Sequence, residues 1–167
     1  MDPNVKKTTL RMIPYGLYVL TAETRDGKLA AATVNWVTQA SFEPPLVVVG
    51  VKTGSSPHSI IPETKSFALS ILGKGQGNIA YAFFKPAKRE GDRIGGEPVR
   101  AGVTGSPILV NAPAAVECEL VATVEQGDHA IFVGKVVDAS VATEPSGRAD
   151  DATLWMKDLG EKVFYGG

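Results

Sequence analysis

A chain of 167 residues and 17.6 kDa has the size of one ordinary domain, and 44% hydrophobic with 21% charged residues is average globular usage, which excludes disorder and fibrous repeats. The formal net charge is -1 and the basic residues are scattered, which excludes nucleic acid as the main partner. The lone Cys118 cannot close an internal disulfide, the most apolar stretch (Pro45–Val51) is far shorter than the roughly 20 residues of a bilayer-spanning helix, and no leader-like apolar segment opens the chain, so the expected address is cytoplasmic, away from membranes.

Gly16–Thr24 is rich in β-branched and aromatic residues and reads as a strand, Arg25-Asp26-Gly27-Lys28 as a hairpin turn, and Leu29–Asn35 as the return strand. Pro44-Pro45 punctuates the chain, and the unbroken apolar run Leu46–Val51 predicts a central strand covered on both faces. Ser55-Ser56 before Pro57 predicts the N-cap of a short helix that Pro62 stops. Ser66–Leu72 alternates as a strand, and Gly77–Phe84 spaces its apolar residues as a second helix ending near Pro86. Lys85–Gly105 is polar and glycine-rich without a clear period, and reads as a long surface loop of the kind that often carries function. Ala114–Glu125 and Ala130–Val141 are strand-like runs joined by the hairpin signal Gln126-Gly127-Asp128-His129. Many closely spaced strands with few helices predict one mostly β domain over residues 1–167, a closed antiparallel barrel with helical decoration rather than alternating βαβ units.

Several familiar constellations fail on their own chemistry. Gly73-Lys74-Gly75-Gln76-Gly77 lacks the second half of a phosphate-loop or dinucleotide fingerprint and reads as a plain turn. One cysteine with His58 and His129 does not make a tetrahedral zinc set. Cys118 sits inside an apolar strand pattern and reads as a buried, inert thiol.

Three clusters carry more. Thr33-Val34-Asn35-Trp36-Val37-Thr38-Gln39-Ala40-Ser41 leaves a strand with a dense set of hydroxyl and amide groups, suited to an anion or the polar edge of a ring, or equally to a well-satisfied polar connection. Lys52-Thr53-Gly54-Ser55-Ser56-Pro57-His58-Ser59 places a cation and hydroxyls at a helix start, a phosphate seat or an ordinary N-cap. Gln126-Gly127-Asp128-His129 presents an imidazole at a hairpin turn, poised at a barrel rim or simply solvated.

In this order and spacing, the clusters resemble the flavin reductase-like family of FMN-binding split barrels. The words that match are Gly16-Leu17-Tyr18-Val19-Leu20-Thr21 with Asp26-Gly27, then Asn35-Trp36-Val37-Thr38-Gln39-Ala40-Ser41-Phe42-Glu43-Pro44-Pro45-Leu46, then Gly127-Asp128-His129 followed by Phe132-Val133-Gly134-Lys135-Val136, together spanning roughly residues 8–142. The resemblance implies an antiparallel Greek-key split barrel, with Thr33, Asn35, Trp36, Val37 and Thr38 along the isoalloxazine and ribityl chain and Gln39, Ala40 and Ser41 nearer the phosphate. It further implies Lys52, Ser56, His58 and Ser59 at the phosphate, His129 beside the nicotinamide, and Tyr165, or more weakly Trp155, as an aromatic residue reaching the flavin or a partner subunit, with a plain packing anchor the favoured reading of both. The chain departs from the family pattern at Pro57-His58-Ser59, where the strongest members carry a serine or threonine.

The function so implied is an FMN-binding oxidoreductase, with FAD as the other flavin form. It would pass electrons from NADH or NADPH to a flavin, ferric iron, oxygen or a rubredoxin-like or flavodiiron protein, with no metal, as a homodimer holding the flavin at its interface. A non-enzymatic FMN carrier of the flavoredoxin kind and a flavin-free binding barrel are the rival readings.

Overall fold

A computed structural model describes all 167 residues. The first element, α1 (Pro3–Arg11), is one that hydrophobic patterning does not reveal, because none of its residues is buried; the Asp2 side chain caps it by accepting from the backbone N–H groups of Asn4 and Val5. β1 (Tyr18–Glu23) and β2 (Leu29–Val34) form the expected hairpin, with Gly27 at φ 87° in its turn, a conformation glycine takes without steric cost. The predicted polar connection after it is instead a strand, β3 (Val37–Ser41), which pairs with β4 (Leu46–Lys52). α2 (Ser56–Thr64) starts at the N-cap Ser55 and runs through Pro62 rather than stopping there; it ends at Lys65, whose φ of 58° is left-handed. β5 (Ser66–Ile71), α3 (Gly77–Ala82), β10 (Ala114–Val124) and β11 (His129–Val141) follow the predicted positions, with His129 the first residue of a strand rather than part of the turn.

The largest correction falls on Lys85–Gly105. This stretch is no loose surface loop: β6 (Arg89–Glu90), β7 (Arg93–Ile94) and β8 (Glu97–Ala101) join β9 (Pro107–Leu109) in a small four-stranded sheet. Strands of two to five residues are too short to show a period. Their role is cover. All of Pro107–Leu109 is buried, the Thr21 hydroxyl of β1 donates to the Pro107 carbonyl, and the Leu109 N–H donates to the Ser70 hydroxyl of β5 at 3.1 Å.

That cover also corrects the burial expected of two strands. β5 alternates in sequence yet five of its six residues are buried, because the small sheet lies on one face and the barrel interior on the other. β4, read as covered on both faces, buries only Val49 and Val51. One interior cluster gathers Leu20, Val49, Phe67 and Phe132 with Ile60 and Ile61 of α2; another gathers Leu17, Val19, Leu72, Phe83 and Leu109. Each such side chain contributes about 1.5–3 kcal/mol of transfer free energy on burial. Packing is tight where β10 and β11 cross the interior: a Cβ added to Gly134 would stand 2.6 Å from the Phe67 ring and 2.7 Å from the Cys118 Cβ, so only glycine fits.

The main sheet has seven antiparallel strands in the order β2-β1-β5-β10-β11-β4-β3. Its two edge strands, β2 and β3, are joined by Asn35 and Trp36 alone. Edges tied by so short a link cannot lie a sheet's width apart, since each residue reaches at most about 3.6 Å. The sheet is therefore rolled into a barrel whose two edges meet at Asn35-Trp36, and the split runs through that seam. The Gly50 N–H donates to the Trp36 carbonyl at 2.8 Å and pins the seam to β4.

Candidate functional site

A cavity of about 520 Å³ opens at this seam, within the range of small-molecule sites. β2 supplies Thr33, the seam supplies Asn35, β4 supplies Lys52, and β11 supplies His129; Leu17, Val51 and Phe83 give an apolar lining, and Phe84, Val163, Phe164 and Tyr165 enclose it. The barrel explains the convergence. His129 lies opposite Lys52 in the β11–β4 register, and Asn35 stands where β2 gives way to the seam.

The polar groups are individually fixed. Asn35 is 5% exposed and its side-chain N–H donates to the Tyr165 carbonyl at 2.9 Å. The Thr33 hydroxyl donates to the Ala80 carbonyl at 2.8 Å. His129 contacts the Asp128 carboxylate through Nδ1 at 2.9 Å and the Tyr165 hydroxyl through Nε2 at 2.8 Å. The hydrogen bond from His129, and its charge when protonated, hold the Asp128 carboxyl below its usual 3.8. Burial pushes the Tyr165 phenol above its usual 10.0, and the Asp128 charge adds to that. Lys52 is exposed and makes no ion pair.

Trp36 lies against this group rather than in the lining, its ring 4.4 Å from that of His129 and 5.5 Å from that of Tyr165. A Cβ at Gly50 would meet the indole at 3.1 Å, so the glycine is what lets Trp36 close on β4.

Of the residues singled out from sequence, the structure thus brings together Thr33, Asn35, Lys52, His129 and Tyr165, with Trp36 beside them. It does not bring the others to this cavity. Val37 turns into the interior cluster, Thr38, Gln39 and Ala40 are exposed on the edge strand, and Ser41 is half-buried at its end. Ser56 and Ser59 are exposed on α2, where the Ser59 hydroxyl donates to the Ser56 carbonyl. His58 reaches Glu125 at 3.2 Å and stacks near-parallel, at 16°, with Phe132. Trp155 lies outside the lining, its indole N–H donating to the Asp150 carbonyl. Ser55 and Pro57 lay in the helix-start cluster without being chosen from it, and sequence reasoning missed the apolar lining, among it Leu17, Val51, Phe83 and Phe84 after α3, and Met156, Val163 and Phe164. Ser55 carried a signal as an N-cap; the aromatic pair looked like an ordinary apolar helix end.

No group of three or more His, Cys, Asp or Glu side chains is placed to hold a metal ion, and no helix is long and apolar enough to cross a membrane. The family model described as "Flavin reductase like domain" matches residues 10–158. The NADH-dependent flavin reductase StyB of Pseudomonas fluorescens is 32% identical over 156 residues, covering 93% of this chain and 87% of that protein. Diflavin flavoprotein A 1 of Synechocystis is 35% identical over 143 residues, covering 85% of this chain but only 25% of its own length, so the chain spans a quarter of that relative. Among solved structures, the Streptomyces globisporus NADH:FAD oxidoreductase in complex with NAD and FAD fragments superposes with a TM-score of 0.68 at 30% identity, over 77% of this chain and 76% of that one.

Proposed function

We propose that this chain, which belongs to the flavin reductase like domain family, is an oxidoreductase that holds a flavin in the seam cavity and oxidises a nicotinamide there. The observation that carries the reading is the convergence of Asn35, Lys52 and His129, from the seam and from two different strands, on one slot with an apolar lining. Such a slot suits a planar ring with a polar edge and an anionic arm.

The residues present fit that group. Lys52, a cation that makes no ion pair, and the start of α2 at Ser55 would hold the phosphate, since the first N–H groups of a helix favour anions. Asn35 and Thr33 would face the ring and ribityl chain, with Leu17, Val51 and Phe83 excluding water. We take the flavin to be FMN, a single phosphate matching the single free cation of the slot, with FAD as the alternative. When bound, the flavin supplies a two-electron acceptor that takes reducing equivalents from NADH or NADPH and passes them onward. The side chains bind, orient and exclude water, and none has to act as a nucleophile. His129, with one nitrogen anchored by Asp128, holds the donor through the other.

The electrons would then leave to a second flavin, ferric iron, oxygen or a redox protein of the rubredoxin or flavodiiron kind. The chain works as one flavin-binding unit and pairs with a second copy. Supporting that pairing, Val124, Ile131, Val137 and Val141 stand exposed along β10 and β11, an apolar band that a two-fold contact would bury.

The purified protein is tested by its absorbance spectrum before and after FMN is added, then by anaerobic mixing with NADH and with NADPH. A flavin spectrum that bleaches with either nucleotide is the expected result. A flavin spectrum without bleaching would leave a carrier in place of a reductase, and a colourless protein that FMN does not change would end the reading.

A further inference from the structure

The segment Phe164–Gly167 passes along the cavity, which Phe164 and Tyr165 line, without joining any strand or helix, and its residues make no backbone-to-backbone hydrogen bond. It is held by side chains at two points. Inside, the Tyr165 carbonyl accepts from Asn35 at 2.9 Å, the Tyr165 hydroxyl meets His129 at 2.8 Å, and the Tyr165 ring lies 5.5 Å from Trp36. Outside, the Arg11 guanidinium stands 4.3 Å over the Phe164 ring and its Nε–H donates to the Gly166 carbonyl at 3.2 Å. Beyond the segment is a second cavity of about 460 Å³; Met156, Val163 and Phe164 belong to the walls of both, so these residues are the partition between them.

The inner contacts use the groups a ring ligand would need. The Asn35 side chain and the imidazole of His129 are two of the polar groups lining the cavity, and one residue, Tyr165, engages both. An amide N–H aimed at the Tyr165 carbonyl cannot hold the same geometry to a second acceptor. A segment tied by a few side-chain contacts, with Phe164 and Tyr165 about half exposed, also costs little to open.

We propose that Phe164–Gly167 is a strap that competes with the flavin ring for Asn35 and caps His129, the side chain assigned to the nicotinamide, and that Arg11 is its outer anchor. The cavity admits its ligand when the strap lifts, and lifting withdraws Phe164 from the wall the two cavities share. This rests on the flavin reading above. The competition has a definite sign: the apparent affinity is lowered by the fraction of molecules with the strap down, so a strap docked about nine-tenths of the time masks roughly tenfold of affinity. A tyrosine that belonged to the flavin seat would have the opposite sign.

The test compares three full-length proteins in a Trp155→Phe background, which leaves Trp36 as the only indole among the two tryptophans of the chain. They are the parent, Arg11→Gln, and the double variant Phe164→Ser with Tyr165→Ser. Without ligand, Trp36 emission reports the strap; with FMN, quenching of flavin fluorescence gives the Kd. Both variants should shift Trp36 emission to the red and tighten FMN binding about tenfold. Because one changes the anchor on α1 and the other the strap itself, loss of one to misfolding, seen by circular dichroism, leaves the other to decide. Unchanged Trp36 emission, or an FMN affinity equal to or weaker than the parent's, overturns the strap while leaving the flavin reading standing. FMN binding by none of the three overturns both.

Discussion

The Nε2 of His129 lies 2.8 Å from the hydroxyl of Tyr165, and their rings meet nearly edge-on at 76° although 36 residues separate them. Asp128 occupies the other nitrogen, so in a neutral ring the proton sits on Nδ1 and Nε2 accepts from the phenol. The side chain proposed to hold the donor is thereby capped. Replacing His129 by Ala removes one hydrogen bond to the donor and should raise the KM for the nicotinamide about tenfold, the equivalent of roughly 1.4 kcal/mol, without weakening FMN binding. Steady-state kinetics beside an FMN titration check this, and unchanged donor kinetics would remove the role.

Tyr165 gives the strap a pH dependence. Its pKa is raised above 10.0 by burial and by the Asp128 charge, so the folded state keeps the phenol proton longer than the unfolded chain does. The stability this contributes is complete below 10.0 and is lost as pH climbs through the raised folded value. The strap should stay docked from neutral pH to about pH 10 and release above it, with Trp36 emission following the release. Tyr165→Phe should abolish that emission step and remove one late-titrating tyrosinate from the ultraviolet absorbance.

Glu117 is 1% exposed, and its carboxylate accepts from the Val103 N–H at 3.0 Å, the Thr104 N–H at 2.8 Å and the Thr104 hydroxyl at 2.7 Å. These bonds tie the turn before β9 to β10. Glu117→Ala strands the donors and should cost about 2–3 kcal/mol, which for a chain of this size lowers Tm by roughly 4–12 °C. Thermal unfolding measures the loss, and protease cleavage confined to residues 102–106 would locate it.

Cys118 is fully buried, and burial together with the neighbouring Glu117 pushes its thiol up to about 12. At mildly alkaline pH almost none of it is thiolate, so a disulfide reagent should label the native protein far more slowly than the urea-unfolded chain. Rapid stoichiometric labelling of the native state would contradict the assigned packing.

What residues 16–35 and 114–141 would become was legible in the sequence alone. β-branched and aromatic runs with a turn signal between them report a strand pair, whatever lies around it. The start of α2 was legible for the same reason, since a capping serine acts within one turn. Side-chain alternation, however, reports only which face is wet. It did not show that β5 is covered on both faces, because the cover is a sheet of very short strands more than 15 residues further along the chain. Nor did it show β3, an edge strand with an exposed polar middle that looks like a loop.

The site divides along the same line. Thr33, Asn35, Lys52 and His129 carry their chemistry in their identities, and a resemblance in motif was enough to group them. That they share one cavity is a property of the rolled sheet, whose edges close through Asn35 and Trp36. Tyr165 was named only through the family resemblance, and the arrival of Phe164 beside it was decided by tertiary structure alone. Contacts between residues 35 and 165 depend on the whole chain between them being folded, and no local pattern encodes a neighbour 130 positions away.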